Sequence, residues 1–560
     1  MHVHVLEASG RIGGIARTET YRGYLFDIGG HRFFTKNRQI ERLWYEMLGD
    51  DFLEVQRISR IYYQDRFLNY PLAPVNVLAS LGILESLLVI LSYIKAQARP
   101  SLVEETFEQW VCNRFGQRLY LAFFKSYTEK VWGVPCREIR ADWAAQRIRG
   151  LTLVAALYNA LFGIQKAKSL ITTFRYPRLG PGMMWQRFKE TIEAGGGRVS
   201  MESEVISLEH DQRRITSVVC RQDGRTERLP AENVISSMPL PKVVRLLSPA
   251  PPAAVLDAAR ALKYRDFLIV GLIVAREDLF PDQWIYIHSS DVRVGRIQNM
   301  KNWSAAMVPD PATSSIGMEY FCNSGDDLWM TSDVELGSLA GRELARLGLA
   351  DQADILDSFV VRQPGAYPVY DQDYQTRVNT IRSYLQGFAN LQTIGRNGMH
   401  RYNNMDHSMQ TGILAVENLA GAGHDLWTIN EEEEYLEEQQ EKKVSVTEKI
   451  LIRSFARMDK LAMATSVGSV CGLLVLAATL WIISRGGDVQ GSHLRLLAQY
   501  FIGYTVTVKG GFIAFGYTFF WGFLGGWLFA YLRNFLLAAY VFSVRKKTEL
   551  LTLRDFFDQL

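Results

Sequence analysis

Neither sign of charge prevails in this chain. Its 62 Lys and Arg stand against 59 Asp and Glu across 560 residues, without the basic stripe that neutralises phosphates along a nucleic acid, so no nucleic-acid partner is expected. Cysteine is sparse and scattered: Cys112, Cys136, Cys220, Cys322 and Cys471 form no CxxC pair and no Cys/His cluster. Neither a metal site nor a disulfide framework is therefore expected, and reduced thiols fit a cytosolic face. The opening residues mix acidic and polar side chains instead of following a basic start with an apolar run, which excludes the pattern of a secretory leader. No internal repeat is evident at periods of roughly 20 to 50 residues.

Long uncharged runs are present at the C-terminal end. Leu461 to Ser484 and Gly511 to Leu532 carry no formal charge, and each is long enough to cross a bilayer as a helix. Arg453, Arg457 and Lys460 precede the first run, and Arg533, Arg545, Lys546 and Lys547 follow the second. By the rule that positive residues stay inside, both ends of a transmembrane hairpin then face the cytoplasm, with Arg533 at the interface. The glutamate-rich stretch after residue 430 reads as a solvated helical connector. The expected division is a large catalytic unit over 1–430, a charged linker over 431–460, a hairpin over 461–545 and a short cytoplasmic tail over 546–560. The bilayer is thus an expected partner, and the localisation is a multi-pass membrane protein with its catalytic part in the cytoplasm.

Within 1–430 short apolar runs bounded by turn residues predict strands at Val3–Leu6, Ile215–Cys220, Val234–Ser236, Phe267–Val274 and Gln392–Ile394. Longer periodic stretches predict helices over Asn76–Ala96, Phe107–Trp132 and Leu151–Ala167. The fold class is α/β, with a helical insertion over about 70–175 between strand-rich segments. The stretches Val77–Ile94 and Leu151–Ile164 carry apolar residues beyond one stripe, which suits either a buried core or a surface near a bilayer.

Four segments carry chemistry. The strand from His2 ends in Glu7 and runs into Gly10-Arg11-Ile12-Gly13-Gly14; a strand-end carboxylate can accept hydrogen bonds from ribose hydroxyls, and glycines let backbone approach a pyrophosphate. Asp27-Ile28-Gly29-Gly30-His31-Arg32 sets paired glycines, which allow backbone to lie against a flat ring, before a histidine that titrates near neutrality. Tyr127-Thr128-Glu129-Lys130-Val131-Trp132-Gly133 puts a charged triplet between two aromatics, and Gly395-Arg396 leads through His400 and Tyr402 to Asn404, Met405 and a following helix.

Together these segments resemble the flavin amine oxidase superfamily, which includes protoporphyrinogen oxidases, phytoene desaturases and UDP-galactopyranose mutases. Glu7 to Gly14 is similar to E-A-x-x-R-x-G-G, residues 29–35 to G-x-H-x-F-x-T, Tyr127 to Gly133 to Y-T-E-K-x-W-G, and residues 395–406 to G-R-x-G-x-Y-x-Y-x-D-M-D, with His400 and Asn404 as departures. Tyr176-Pro177 with Gly180 resembles the Y-P-x-x-G turn of the oxidase and desaturase branch.

The resemblance implies a Rossmann-like FAD-binding domain with a helical and sheet substrate domain, and FAD as cofactor. It implies Glu7 at the ribose, Arg11, Gly13 and Gly14 along the pyrophosphate, and Gly29, Gly30, His31 and Arg32 beside the isoalloxazine. Val205, in a pair similar to the strands that flank adenine, Gly395, Arg396, Asn404 and Met405 complete the expected cofactor contacts. His31, Tyr127, Trp132 and Tyr402 are the implied catalytic residues, the last matching a tyrosine that touches a substrate diphosphate. The superfamily places a strand, a G-x-G-x-x-G turn and a helix before Glu7, so upstream codons are expected to supply them, and a chain starting at Met1 should bind FAD poorly.

Three functions follow. The leading one is redox: a small or lipid-linked substrate gives hydride to the flavin, with Arg32, Lys130 or Arg396 stabilising charge. The second is a non-redox rearrangement of a nucleotide-linked or lipid-linked sugar, as in the mutases. The third is a non-catalytic membrane scaffold.

Overall fold

The computed structural model describes residues 2–70, 83–101, 103–141, 173–430, 458–485 and 492–557, the last 21 by backbone alone. The expected helix over Leu151–Ala167 and most of the expected linker over 431–460 lie outside the described residues. The chain divides into two compact units, Met1–Gln439 and Gln440–Leu560.

In chain order the first unit begins with β1 (His4–Leu6), β2 (Thr18–Tyr21), β3 (Tyr24–Asp27), α1 (Arg38–Leu48), β4 (Phe52–Gln56), β5 (Ser59–Tyr63) and β6 (Arg66–Asn69). Helices α2 (Ile83–Ala98), α3 (Phe107–Phe115) and α4 (Ser126–Trp132) follow, then β7 (Thr173–Pro177), α5 (Gly182–Ala194), β8 (Arg198–Ser200), β9 (Glu204–His210), β10 (Ile215–Gln222), β11 (Arg225–Pro230), β12 (Val234–Ser236) and β13 (Leu247–Ser248). The remainder comprises β14 (Tyr264–Val274), β15 (Trp284–Ile287), β16 (Arg296–Asn299), β17 (Ser314–Cys322), α6 (Asp333–Arg346), β18 (Ile355–Pro368), β19 (Leu391–Thr393) and α7 (Met405–Leu419).

Two parallel pairs, β1–β8 and β12–β19, are the α/β part. A seven-stranded sheet in the order β18-β14-β17-β16-β15-β5-β6 forms the other layer, antiparallel except where β15 meets β5. Its centre is buried on both faces: Leu268, Val270 and Leu272 of β14 with Ile316, Met318 and Tyr320 of β17 on one, and Phe267, Ile269 and Ile273 of β14 with Phe321 of β17 on the other. Such strands read as continuous apolar runs instead of alternating ones.

The expected single helix over Phe107–Trp132 is broken. α3 stops at Gly116 (φ +79), where a Cβ would lie 2.8 Å from the Tyr93 backbone nitrogen of α2, so the close crossing of α2 demands glycine there. The chain then passes through a wider π-helical turn over Tyr120–Lys125 before α4.

The second unit contains α8 (Lys460–Arg485) and α9 (Val508–Phe557), two helices long and apolar enough to cross a membrane. Helix α9 carries Arg533 and runs on as helix to Phe557. The two pack through small residues. A Cβ on Gly468 would lie 2.7 Å from the Phe519 carbonyl oxygen, one on Gly522 3.0 Å from the Gly468 Cα, and one on Gly526 2.8 Å from the Met463 carbonyl oxygen. Backbones this close gain dispersion contacts that larger side chains would prevent. At one end the Asn534 side chain accepts from Met458 N–H (2.8 Å) and donates to Met458 carbonyl oxygen (2.7 Å).

Candidate functional site

A cleft of about 1360 Å³ lies in the first unit, lined by residues from the turn after β1, the segment after β3, the faces of β15 and β16, the end of β18, and the start of α7. The first wall begins where β1 ends. The Glu7 carboxylate accepts from the Ser9 N–H and hydroxyl, each at 2.8 Å, which fixes the acid over the turn. Gly13 (φ +104) and Gly14 (φ +55) then take left-handed backbone, and a Cβ on Gly13 would sit 2.6 Å from Trp185 Cδ1. Only glycine suits both the conformation and the space. Arg11 and Arg17 share the Glu19 carboxylate, Arg17 donating at 2.6 Å. Glu7 also acts on Arg17, so the wall offers two guanidiniums and two carboxylates beside bare glycine backbone, a setting that can take both the ribose and the pyrophosphate of a dinucleotide.

The second wall is the turn after β3. His31 Nε2 lies 2.9 Å from the carbonyl oxygens of both Ile15 and Ile28. Carbonyls only accept, so Nε2 carries the proton and Nδ1 is left as the acceptor. Burial, then the nearby Arg396 and Arg296, pulls His31 down to about 3. The expected proton exchange near neutral pH is therefore corrected: His31 stays neutral, a fixed member of the wall. The turn is anchored from behind by Asp27, which accepts from the Tyr176 hydroxyl and, at 2.9 Å, from Thr18. A Cβ on Gly180 would strike both Thr18 Oγ1 (2.4 Å) and Asp27 Oδ1 (2.7 Å). The Tyr176-Pro177 to Gly180 turn thus serves to clamp β2 and β3. With no cation among the causes that act on it, burial pushes Asp27 up to about 7.

The third wall is residues 395–408. Arg396 Nε donates to the Asn403 carbonyl oxygen at 2.9 Å, and its guanidinium lies 4.4 Å from the Tyr402 ring centroid. Tyr402 stacks on Tyr367 with centroids 5.7 Å apart. Asn404, Met405 and the first turn of α7 also line the cleft, so the positive end of that helix dipole faces it.

Of the fourth wall the sequence pattern marks only Arg32. Arg32 lies 5.2 Å and Arg57 5.3 Å from the Trp284 ring, Arg57 also 5.4 Å from Tyr70, and Arg296 stands opposite Tyr286 in the β15–β16 register. Arg296 Nε donates to both oxygens of Glu319 at 2.9 Å, the partner directly across on β17. Glu319 is wholly buried, so the pair fixes Arg296 while part of its charge faces the cleft. Arg57, Trp284 and Arg296 belong to no local motif; the register of β15 and β16 and the short connection from β4 to β5 bring them together.

Of the residues expected from sequence, Glu7, Arg11, Gly13, Gly14, Gly29, Gly30, His31, Arg32, Gly395, Arg396, Tyr402, Asn404 and Met405 line this one cleft. Val205, Tyr127 and Trp132 do not. Val205 pairs with Cys220 in the β9–β10 ladder and packs on the core around Leu208. Tyr127 stacks on His288 at 4.6 Å and meets Tyr286 edge-on at 5.7 Å, while Trp132 is buried 6.3 Å from the Tyr402 ring. Both lie one layer behind the lining.

Lys130 is also withdrawn from the cleft, and charge stabilisation there is corrected. Its ammonium donates to the carbonyl oxygens of Ser289 (2.7 Å), Val292 (2.9 Å), Val294 (3.1 Å) and Ile287 (3.3 Å). Burial lowers it to about 8, so it remains charged at neutral pH. Glu343 takes the N–H groups of Arg293 (2.6 Å) and Val294 (3.0 Å) from the other side of that loop.

Residues 1–419 match the family model of flavin-containing amine oxidoreductases. Among solved structures, a reduced UDP-galactopyranose mutase superposes with a TM-score of 0.67 at 19% identity, over 77% of this chain and 92% of that one. A protein assigned as a protoporphyrinogen oxidase from Exiguobacterium sp. 255-15 gives 0.57 at 16% identity, over 75% and 93%. A double mutant of putrescine oxidase gives 0.51 at 14% identity, over 74% and 93%. At these identities the likeness concerns the fold.

Proposed function

Because the chain belongs to the flavin-containing amine oxidoreductase family, whose cofactor is FAD, we propose that it is a membrane-anchored FAD-dependent oxidoreductase acting on an anionic, lipid-linked substrate. The observation that carries the reading is the fourth wall, where Arg32, Arg57 and Arg296 surround Trp284, Tyr70 and Tyr286. Arg32 and Arg57, with Arg296 held by Glu319 beside them, favour a phosphate or carboxylate over an amine, while the aromatic faces accept the attached organic group. Bound FAD would supply two-electron chemistry by taking a hydride from a substrate C–H or N–H bond. The chain's own residues hold the reactants and exclude water: Glu7, Arg11, Gly13 and Gly14 the nucleotide end, His31 and the start of α7 the middle, Tyr402 and the arginines the substrate. Tyr127 and Trp132 support Tyr286 and Tyr402 from behind.

Helices α8 and α9 support membrane anchorage, and the lysines and arginines flanking them support both ends on the cytoplasmic side. A second reading, a flavin-dependent sugar mutase, is favoured by Tyr402 and Arg396 standing together in the cleft. Anaerobic turnover separates the two. The detergent-purified FAD-loaded protein should bleach when given a polyprenyl phosphate and recover colour only with an electron acceptor. Turnover without stoichiometric acceptor would replace the oxidoreductase by the mutase, and bleaching by putrescine but by no anion would remove the anionic-substrate reading.

A further inference from the structure

Helix α2 presents two faces of opposite character. Val89 is buried in the core beside Phe107, Trp110 and Val111. Leu87, Leu91 and Ile94, spaced i, i+4 and i+7, point the other way, and each is more than half exposed. Soluble surfaces scatter single leucines; a helical row of three large ones marks an interaction surface. Leu121 is also exposed, on the turn whose Arg118 N–H donates to Ser92 of α2.

We propose that this face of α2 docks on the headgroup region of a lipid bilayer, so that the unit Met1–Gln439 rests on the membrane surface. The inference rests on the membrane anchorage proposed above. Lipid is favoured as occupant on two grounds. The same chain carries two helices long and apolar enough to enter a bilayer, which would hold the unit within reach of one. Charge at the edge of the face is also suitable: Glu85 is engaged by Arg118, whereas Lys95 and Arg99, at the C-terminal end of α2, have no carboxylate within ion-pair distance among the described residues. Such cations reach anionic headgroups while their stems lie along the apolar boundary.

Collision accessibility of a spin label tests the docking on the full chain in nanodiscs of mixed phosphatidylcholine and phosphatidylglycerol. Labels at Leu91→Cys on α2, Leu474→Cys on α8 and Val334→Cys on exposed α6 are compared, with labelled parent protein as blank. Leu91 is exposed, so its replacement leaves the core intact. The Leu91→Cys and Leu474→Cys labels should collide more with oxygen than with a water-soluble nickel chelate, and the Val334→Cys label the reverse. A Leu91→Cys label that favours nickel, or is shielded from both, overturns the docking while lipid contact at Leu474→Cys leaves the anchorage standing. A Leu474→Cys label that favours nickel removes the anchorage and the docking together.

Discussion

The segments Tyr127–Gly133 and Gly395–Met405 both resemble the same family of sequences, the first without departure and the second with two, yet the fold uses them in opposite ways. The later segment lines the cleft with Arg396, Tyr402 and the start of α7. The earlier one turns its charges inward: Lys130 gathers four carbonyl oxygens, Glu129 accepts from the Cys136 N–H at 3.1 Å, and Arg265 covers Gly133 while donating to Val131 and Phe321 carbonyls. A charged motif in a family signature is therefore as able to hold a loop as to hold a ligand. What separates the two is whether the charge meets backbone or cavity.

The contrast predicts a division between variants that unfold the protein and variants that empty its site. The largest effect is expected for Lys130→Met, which strips donors from a buried set of carbonyls and should cost roughly 3–5 kcal/mol of stability. Chemical denaturation should show that loss while the FAD affinity of the folded fraction stays unchanged; weakened FAD binding at full stability would erase the contrast. Next, Gly13→Ala should lower FAD affinity by about tenfold or more, since strain of about 1–3 kcal/mol falls on backbone at the cofactor wall. Equilibrium titration of the apoprotein checks this.

A smaller effect is expected for Arg57→Met, which should weaken inhibition by inorganic pyrophosphate by roughly tenfold, one charge-assisted contact. Inhibition as tight as in the parent would take Arg57 out of anion binding. The smallest concerns pH. Asp27 is raised to about 7 in the fold, so the protonated form is the one the fold favours. Its contribution is complete below the ordinary carboxylate range and is lost as pH rises through 7. Asp27→Asn should thus flatten the fall in denaturation midpoint between acid and mildly alkaline buffer; an unchanged slope would assign the fall to other groups.

The sequence was most legible where geometry is local. The turn after Glu7, the paired glycines before His31 and the Gly395-Arg396 pair are short segments whose conformation follows from glycine and their neighbours. Val234–Ser236 is a strand with those same bounds, because a short apolar run between turn residues has few alternatives. Strands β17 and β18 were not read. Glu319 in β17 interrupts the apolar run that would identify a central strand, and its charge becomes acceptable only through Arg296, distant in sequence and adjacent in register. For the same reason most of the arginine-aromatic wall has no local signal: Trp284 and Arg296 meet through strand pairing, and Arg32 and Arg57 reach them from loops distant in sequence. His31 was read as a titrating group because its two carbonyl partners, one of them sixteen residues away, leave no mark in the local pattern.

The glycine seam between α8 and α9 has a consequence for how the protein diversifies. Substitutions on the outer surfaces of this pair, among Leu473, Leu474, Phe520 and Trp521, meet no partner backbone and can drift freely among apolar residues. Gly468, Gly522 and Gly526 each face the backbone of the neighbouring helix within about one atomic diameter. Lineages descended from a common ancestor should accordingly preserve the spacing of small residues long after the rest of the hairpin has become unrecognisable by identity.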